Sequence, residues 1–120
     1  MKNYKKRIAD RLLKEKLGYM GAVLIKGAKW CGKTTTAEQV AGSVLYVDEP
    51  SRKGQNQSLA KLNPNLLLEG KTPRLLDEWQ VAPELWDAVR FEVDHRDNGV
   101  GQFILTGSAA PLNSNDKEKI

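Results

Sequence analysis

The sequence predicts a three-layer α/β fold, with a mainly parallel sheet of about four strands between layers of helices. Four short apolar runs are nearly continuous rather than alternating, as is typical of strands buried on both faces of a parallel sheet. The runs are Ala22–Ile25, Val44–Val47, Leu75–Leu76 and Phe103–Leu105. The segments between them are long enough for helices, so we expect right-handed crossover connections.

Periodicity predicts the helices. Residues 5–17 carry Ile8, Leu12 and Leu13 at helical spacing, and Gly18 and Gly21 end the pattern. Three later segments also predict helix, the second of them broken at Asn63-Pro64; they are Thr34–Gly42, Leu59–Leu68 and Pro83–Arg96. We therefore expect an amphipathic helix over 1–20, the core over 21–109 and a disordered polar tail over 110–120.

Composition limits the classes of function. The 120 residues suit one domain, and no apolar run approaches the roughly 20 residues of a membrane span. A single cysteine, Cys31, and a start without a signal-peptide core predict a cytoplasmic protein. Residues 1–40 hold ten Lys/Arg against three Asp/Glu. Nucleic-acid contact is one interpretation, but aromatic residues are not interleaved with these charges, so we favour a solvated helix.

One loop pattern predicts a phosphate-binding site. After the first apolar run comes G-x-x-x-x-G-K-[ST], formed by Gly27, Ala28, Lys29, Trp30, Cys31, Gly32, Lys33 and Thr34. Backbone N–H groups of such a loop cradle phosphate oxygens, and the following helix adds its positive dipole end. In this pattern Lys33 reaches the β- and γ-phosphates, and the Thr34 hydroxyl binds Mg²⁺.

Two carboxylates follow the third apolar run. Asp77 and Glu78 are adjacent, and neighbouring strand residues point to opposite faces, so the pair can serve separate roles. We expect Asp77 to hold Mg²⁺ through water, opposite Thr34, and Glu78 to orient or deprotonate the attacking water.

The fourth apolar run ends in a polar residue, Thr106, which could bind the γ-phosphate or the attacking water; Ser108 is the alternative. Ligands of open α/β sheets bind at the carboxyl ends of the strands, so these residues should lie along one edge. Asp48 follows the second run and should face that edge, unless it belongs only to a turn. His95 and Arg96 should lie at the opposite edge.

Three motifs together resemble the AAA-type branch of the P-loop ATPases, and more closely prokaryotic AAA-family ATPases that carry a C-terminal domain of poorly understood function. The motifs are Lys29–Thr36, Leu75–Gln80 and Phe103–Ser108. The resemblance implies a P-loop NTPase core that is truncated after the sensor strand, since such proteins continue beyond the equivalent of Ile120. It also implies a missing C-terminal domain or partner protein, and leaves oligomerisation open.

For the site, the resemblance implies that Gly27 through Thr34 bind the nucleotide and that Thr35 contacts the α-phosphate. It assigns Asp77 to the metal, Glu78 to catalysis and Thr106 to sensing the γ-phosphate. The function expected is binding of ATP and Mg²⁺-dependent ATP hydrolysis. A nucleotide-dependent switch without turnover is the alternative, and a small-molecule kinase a third.

Overall fold

A computed structural model describes residues 11–27, 32–96 and 99–108. All four predicted strands form, and every pairing is parallel: β1 (Ala22–Gly27), β2 (Ser43–Tyr46), β3 (Arg74–Asp77) and β4 (Phe103–Ser108). Their spatial order is β1-β4-β3-β2, so the last strand in the chain lies between the first and the third. The α/β class predicted from the sequence is confirmed.

Helices flank the sheet. Residues 11–17 form the described part of α1. The other helices are α2 (Lys33–Val40), α3 (Lys53–Leu62), α4 (Asn65–Leu68) and α5 (Glu84–His95), with a 3₁₀ turn at Trp79–Val81. None of them, over the stretches that the structure describes, is long and apolar enough to cross a bilayer.

Two apolar clusters on opposite faces of the sheet make three layers. On one face Leu75 and Ile104 pack with Leu13 and Leu17 of α1 and Ala37 of α2. On the other face, the residues adjacent to these in each strand pack against α3, α4 and α5; they are Leu76, Phe103 and Leu105. This inversion at successive positions is the strand period of two, and it explains why the runs are continuously apolar.

Helix α3 departs from the prediction. It begins at Lys53, six positions before the predicted start at Leu59, although Asn63-Pro64 does separate it from α4 as expected. Its first half is polar and has no apolar periodicity, so local pattern could not reveal it. Tertiary contacts stabilise it instead, because buried Asn56 donates to the carbonyl of Val47 at 3.2 Å.

Strand β4 is longer than its apolar run. The run stops at Leu105, but ladder pairing continues to Ser108, which lies opposite Gly27. Thr106 is therefore inside the strand, opposite Asp77 of β3, and Ser108 ends it. The register places the carboxyl ends of three strands side by side.

Candidate functional site

The carboxyl ends of β1, β3 and β4, together with the start of α2, form one polar site. Hydrogen bonds and an ion pair join six side chains there, although up to 75 residues separate them in the chain. They are Lys33, Thr34, Asp77, Glu78, Thr106 and Ser108. The convergence that strand polarity predicted is present.

Gly27 and Gly32 flank the predicted phosphate loop. Gly27 ends β1, and Gly32 precedes α2 with φ of +88°, where a side chain would be strained. A Cβ on Gly32 would meet nothing within 4 Å, so the requirement for glycine is conformational. Ala28, Lys29, Trp30 and Cys31 lie outside the described residues, and their place in the site stays a prediction.

The first turn of α2 suits an anion. It has no side-chain cap and no acidic residue, so its N–H groups and the positive end of its dipole face the loop side. Thr35 lies in this turn with an exposed side chain. Backbone donors at the start of α2 therefore fit phosphate oxygens.

The ammonium of Lys33 lies inside the site rather than in solvent. Its side chain is 2% exposed, and Nζ lies 3.5 Å from Oε2 of Glu78. Nζ also donates to the hydroxyl of Ser108 at 3.2 Å. A buried ammonium requires such partners, because its desolvation is otherwise costly.

Asp77 belongs to a hydroxyl-lined cluster that we call the Asp77 cluster: Asp77, Thr34 and Thr106. Its Oδ1 accepts hydrogen bonds from Thr34 at 2.7 Å and from Thr106 at 2.6 Å. Thr106 is fully buried, and its oxygen also accepts the N–H of Glu78 at 3.3 Å. The Thr106 hydroxyl therefore acts as a donor to Asp77 and as an acceptor from Glu78, and so contacts both carboxylate residues.

Glu78 lies in a second group, the Glu78 cluster: Glu78, Lys33, Gln80 and Ser108. Oε1 of Glu78 accepts from Gln80 Nε2 at 2.6 Å and from the N–H of Ser108 at 3.2 Å. Oε2 accepts from the Ser108 hydroxyl at 2.9 Å and faces Lys33. These four contacts match the roughly four lone-pair sites of a carboxylate.

The surroundings of Glu78 keep it ionised. Burial alone would raise the pKa of its carboxyl, but hydrogen bonds from Gln80 and Ser108 and the charge of Lys33 outweigh burial. The pKa of Glu78 therefore lies below its ordinary value. Its backbone is left-handed, with φ of 60°, so Glu78 leaves the strand direction that Asp77 still follows.

The sequence predicted no role for Gln80, although this residue ends the Leu75–Gln80 motif. Gln80 lies in the 3₁₀ turn after Glu78, two positions beyond it. No apolar period or charge marks it, and its position within that motif was the one available signal. Gly107 was also passed over; a Cβ there would come within 2.8 Å of the Gln80 side-chain oxygen.

Other candidates lie elsewhere. Asp48 is half-buried in the turn after β2, the strand at the far end of the sheet from β1. Arg96 pairs with Glu92 and lies 5.0 Å from the ring of Phe103, at the amino end of β4. His95 contacts Phe91. As predicted, Arg96 lies at the sheet edge away from the site.

The Asp77 cluster fits a hard divalent cation. Asp77 is 7% exposed, and within the described part of the chain no lysine or arginine pairs with it. A buried carboxylate among neutral hydroxyls carries uncompensated charge, and oxygen atoms are the ligands that Mg²⁺ prefers. Residues 11–27, 32–96 and 99–108 contain no group of three or more His, Cys, Asp or Glu suited to a metal. A protein-only metal cage is therefore not formed there.

Fold and site together define the class of protein. A parallel sheet in the order β1-β4-β3-β2, with a glycine-led helix after β1 and carboxylates at the end of β3, is the core of a P-loop NTPase. A family model described as an AAA domain matches residues 20–120. The chain belongs to this AAA-domain family, and it is accordingly a nucleotide-binding domain. No match was found among curated proteins or among solved structures.

Proposed function

We propose that this AAA domain binds ATP and hydrolyses it with Mg²⁺. The observation that carries the proposal is the pair of adjacent carboxylates held in different surroundings beside Lys33. Asp77 is bound by hydroxyls, whereas Glu78 is bound by an ammonium, a hydroxyl, an amide and a backbone N–H. Phosphoryl transfer to water uses one group that holds the cation and another that orients or deprotonates the water, and two carboxylates in different surroundings can fill these roles.

The loop from Gly27 to Thr34 and the start of α2 bind the phosphates in this proposal. Backbone N–H groups supply directed donors, and Thr35 contacts the α-phosphate. Lys33 supplies the positive charge for the β- and γ-phosphates. Since its ammonium already lies at the centre of the site, it needs only to exchange Glu78 and Ser108 for phosphate oxygens.

Thr34 and Asp77, whose side-chain oxygens lie 2.7 Å apart, would hold Mg²⁺ in this proposal. The proton that Thr34 donates to Asp77 would then turn away, so that both oxygens present lone pairs. When bound, the cation neutralises charge that develops on the phosphates. Thr106 keeps Asp77 oriented through the bond that it donates.

Glu78 would accept the proton of the attacking water. With four contacts on its two oxygens it has no free lone pair, so it acts only after one contact is given up. The contact with Lys33 is the one that phosphate competes for, and its loss frees Oε2. In this proposal Ser108, which lies between Lys33 and Glu78, senses the γ-phosphate; the sequence predicted Thr106 for this role, with Ser108 as the alternative.

A nucleotide-dependent switch without turnover is the second candidate. The observation that favours it is the complete set of contacts on Glu78, which holds the base in an arrangement without a free acceptor. In that case ATP binding alone would rearrange Lys33 and Ser108, and a C-terminal domain or partner protein would read the change. An arginine supplied by such a partner or by another copy typically adds about 10³–10⁵ in rate, so we expect tight binding relative to turnover.

Two measurements test the proposal: the thermal shift on adding ATP with Mg²⁺, and the release of inorganic phosphate with no added acceptor. The key variant is Lys33→Ala. Its matched control is Lys61→Ala, which removes an exposed lysine of α3. Circular dichroism establishes that both variants are folded.

We expect the wild type and Lys61→Ala to show saturable stabilisation and phosphate release, and Lys33→Ala to show neither. Stabilisation without phosphate release would overturn hydrolysis and support the switch. Formation of ADP without release of inorganic phosphate, seen only when a small-molecule acceptor is added, would support a kinase. A folded wild type that ATP does not stabilise would contradict nucleotide binding at this site.

A further inference from the structure

Glu78 is held by a residue to which the proposed function gives no part. Gln80 is exposed, yet its amide donates to Oε1 of Glu78 at 2.6 Å, the shortest of the contacts on that carboxylate. The N–H of Ser108 donates to the same oxygen. Both donors on Oε1 are neutral groups, so an incoming phosphate anion attracts them less strongly than it attracts the ammonium of Lys33.

The other oxygen has a different set of partners. Oε2 faces Lys33 and accepts from the Ser108 hydroxyl, which itself accepts from Lys33. The carboxylate is thus divided into an anchored oxygen, Oε1, and an oxygen directed to the phosphate side, Oε2. We propose that Gln80 is a positioning residue that fixes this division; its contribution to rate rests on the proposed ATP hydrolysis.

The turn that carries Gln80 is anchored independently of the carboxylate. The N–H of Val81 binds the carbonyl of Glu78 at 3.2 Å, and Gln57 of α3 donates to the carbonyl of Val81 at 3.1 Å. The ring of Trp79 lies 4.8 Å from that of Trp86, measured between centroids. Gln80 is therefore presented to Glu78 by a supported backbone, which makes its bond a directional restraint.

Gly107 provides the space that this arrangement requires. A Cβ on Gly107 would lie 2.8 Å from Oε1 of Gln80 and 3.3 Å from Nε1 of Trp79. The φ of Gly107 is not positive, so conformation does not demand glycine there. The end of β4 is instead shaped to admit the Gln80 side chain beside Ser108.

The test replaces Gln80 by methionine, which keeps length and removes the donor. Gln55→Met is the matched control, because it makes the same substitution at an exposed glutamine of α3. Initial rates of ATP hydrolysis give kcat and KM, and a thermal-shift titration gives nucleotide affinity. Crystal structures of the nucleotide-free wild type and Gln80→Met give the position of the Glu78 carboxylate.

For Gln80→Met we expect kcat to fall roughly 10- to 100-fold, with KM and nucleotide affinity within about twofold of wild type. Gln55→Met should keep a near wild-type kcat. In the crystal, Glu78 of Gln80→Met should leave its position or occupy several. If the wild type hydrolyses ATP, an unchanged kcat in Gln80→Met would overturn the proposal, as would an equal fall in Gln55→Met.

The two proposals fail separately. If the wild type hydrolyses no ATP, hydrolysis is wrong, and the crystal structures alone decide the role of Gln80. A displaced Glu78 in Gln80→Met then supports the positioning role. A carboxylate that stays in place with both Ser108 bonds intact overturns it.

Discussion

Asp77 and Glu78 are neighbours in the chain, but the two clusters around them differ in charge and in geometry. Asp77 ends a strand and accepts bonds from two neutral hydroxyls, whereas Glu78 turns into a left-handed conformation and pairs with an ammonium. The Asp77 cluster carries one uncompensated negative charge, whereas the charge of Lys33 balances that of Glu78 in the Glu78 cluster. A single peptide step at a strand end can therefore place two carboxylates in surroundings that suit a cation and a proton acceptor, respectively.

The strongest way to test this division is Glu78→Gln, which keeps shape and hydrogen-bonding length. If Glu78 is the proton acceptor, kcat for ATP hydrolysis should fall about 10²- to 10⁴-fold while ATP binding persists. Phosphate release and a thermal-shift titration with ATP measure the two effects. Hydrolysis at the wild-type rate would show that the water-activating group lies elsewhere.

The complementary change is Asp77→Asn. We expect the apparent affinity for Mg²⁺ in ATP hydrolysis to fall about 10- to 100-fold, because the cation loses the carboxylate that neutralises it. A Mg²⁺ titration at saturating ATP measures the change. Asp48→Asn is the matched control, since it removes a carboxylate that follows β2 instead of β3. An equal loss in both variants would contradict a specific cation role for Asp77.

Thr106 joins the two clusters, so Thr106→Val should weaken both. The substitution leaves Oδ1 of Asp77 without one donor and the buried N–H of Glu78 without its acceptor. Leaving such groups unsatisfied costs about 1–3 kcal/mol of the free energy of unfolding, which chemical denaturation measures. Thr106→Ser restores the hydroxyl and should recover most of the stability. Equal stability of the serine and valine variants would show that these bonds contribute little.

The smallest expected effect concerns Tyr46, which pairs with Asp77 across β2 and β3. The hydrogen bond to Glu38, with burial and the charges of Glu38 and Asp77, raises the pKa of Tyr46 to about 12. The folded state therefore retains a proton that the unfolded state releases near its ordinary pKa of about 10. This stability is present below pH about 10 and is lost as pH rises from there towards 12.

Tyr46→Phe should consequently lose less stability than the wild type between about pH 9 and about pH 11, as urea denaturation at the two values would measure. Tyr19→Phe, which alters a tyrosine that is 69% exposed, is the control. If Tyr46→Phe and the wild type followed one pH dependence, the hydrogen bond to Glu38 would not hold the phenol in its protonated form.

Much of the fold could be predicted because it depends on local pattern. Continuous apolar runs identified all four strands, and periodicity identified α5 to within one residue at either end. The rule that ligands bind at the shared carboxyl edge of parallel strands was enough to predict that Asp77 and Glu78 lie beside the phosphate loop. The first half of α3 could not be predicted, because its stabilising contacts are with residues outside the helix, Val47 and Val81.

The sequence was enough to predict the fold class, the phosphate-loop pattern from Gly27 to Thr34 and the residue types at the carboxyl edge of the sheet, since strand order along the chain and side-chain chemistry suffice for those. The sequence did not predict the hydrogen-bond partners of the hydroxyls and amides, which depend on the tertiary structure. In the folded chain Thr106 donates to Asp77, and Ser108 lies between Lys33 and Glu78. The Gln80 side chain lies close to Gly107, where a Cβ would come within 2.8 Å of it. Hydrogen bonds form only within narrow limits of distance and angle between strands and turns, and residue spacing in the sequence does not specify those distances.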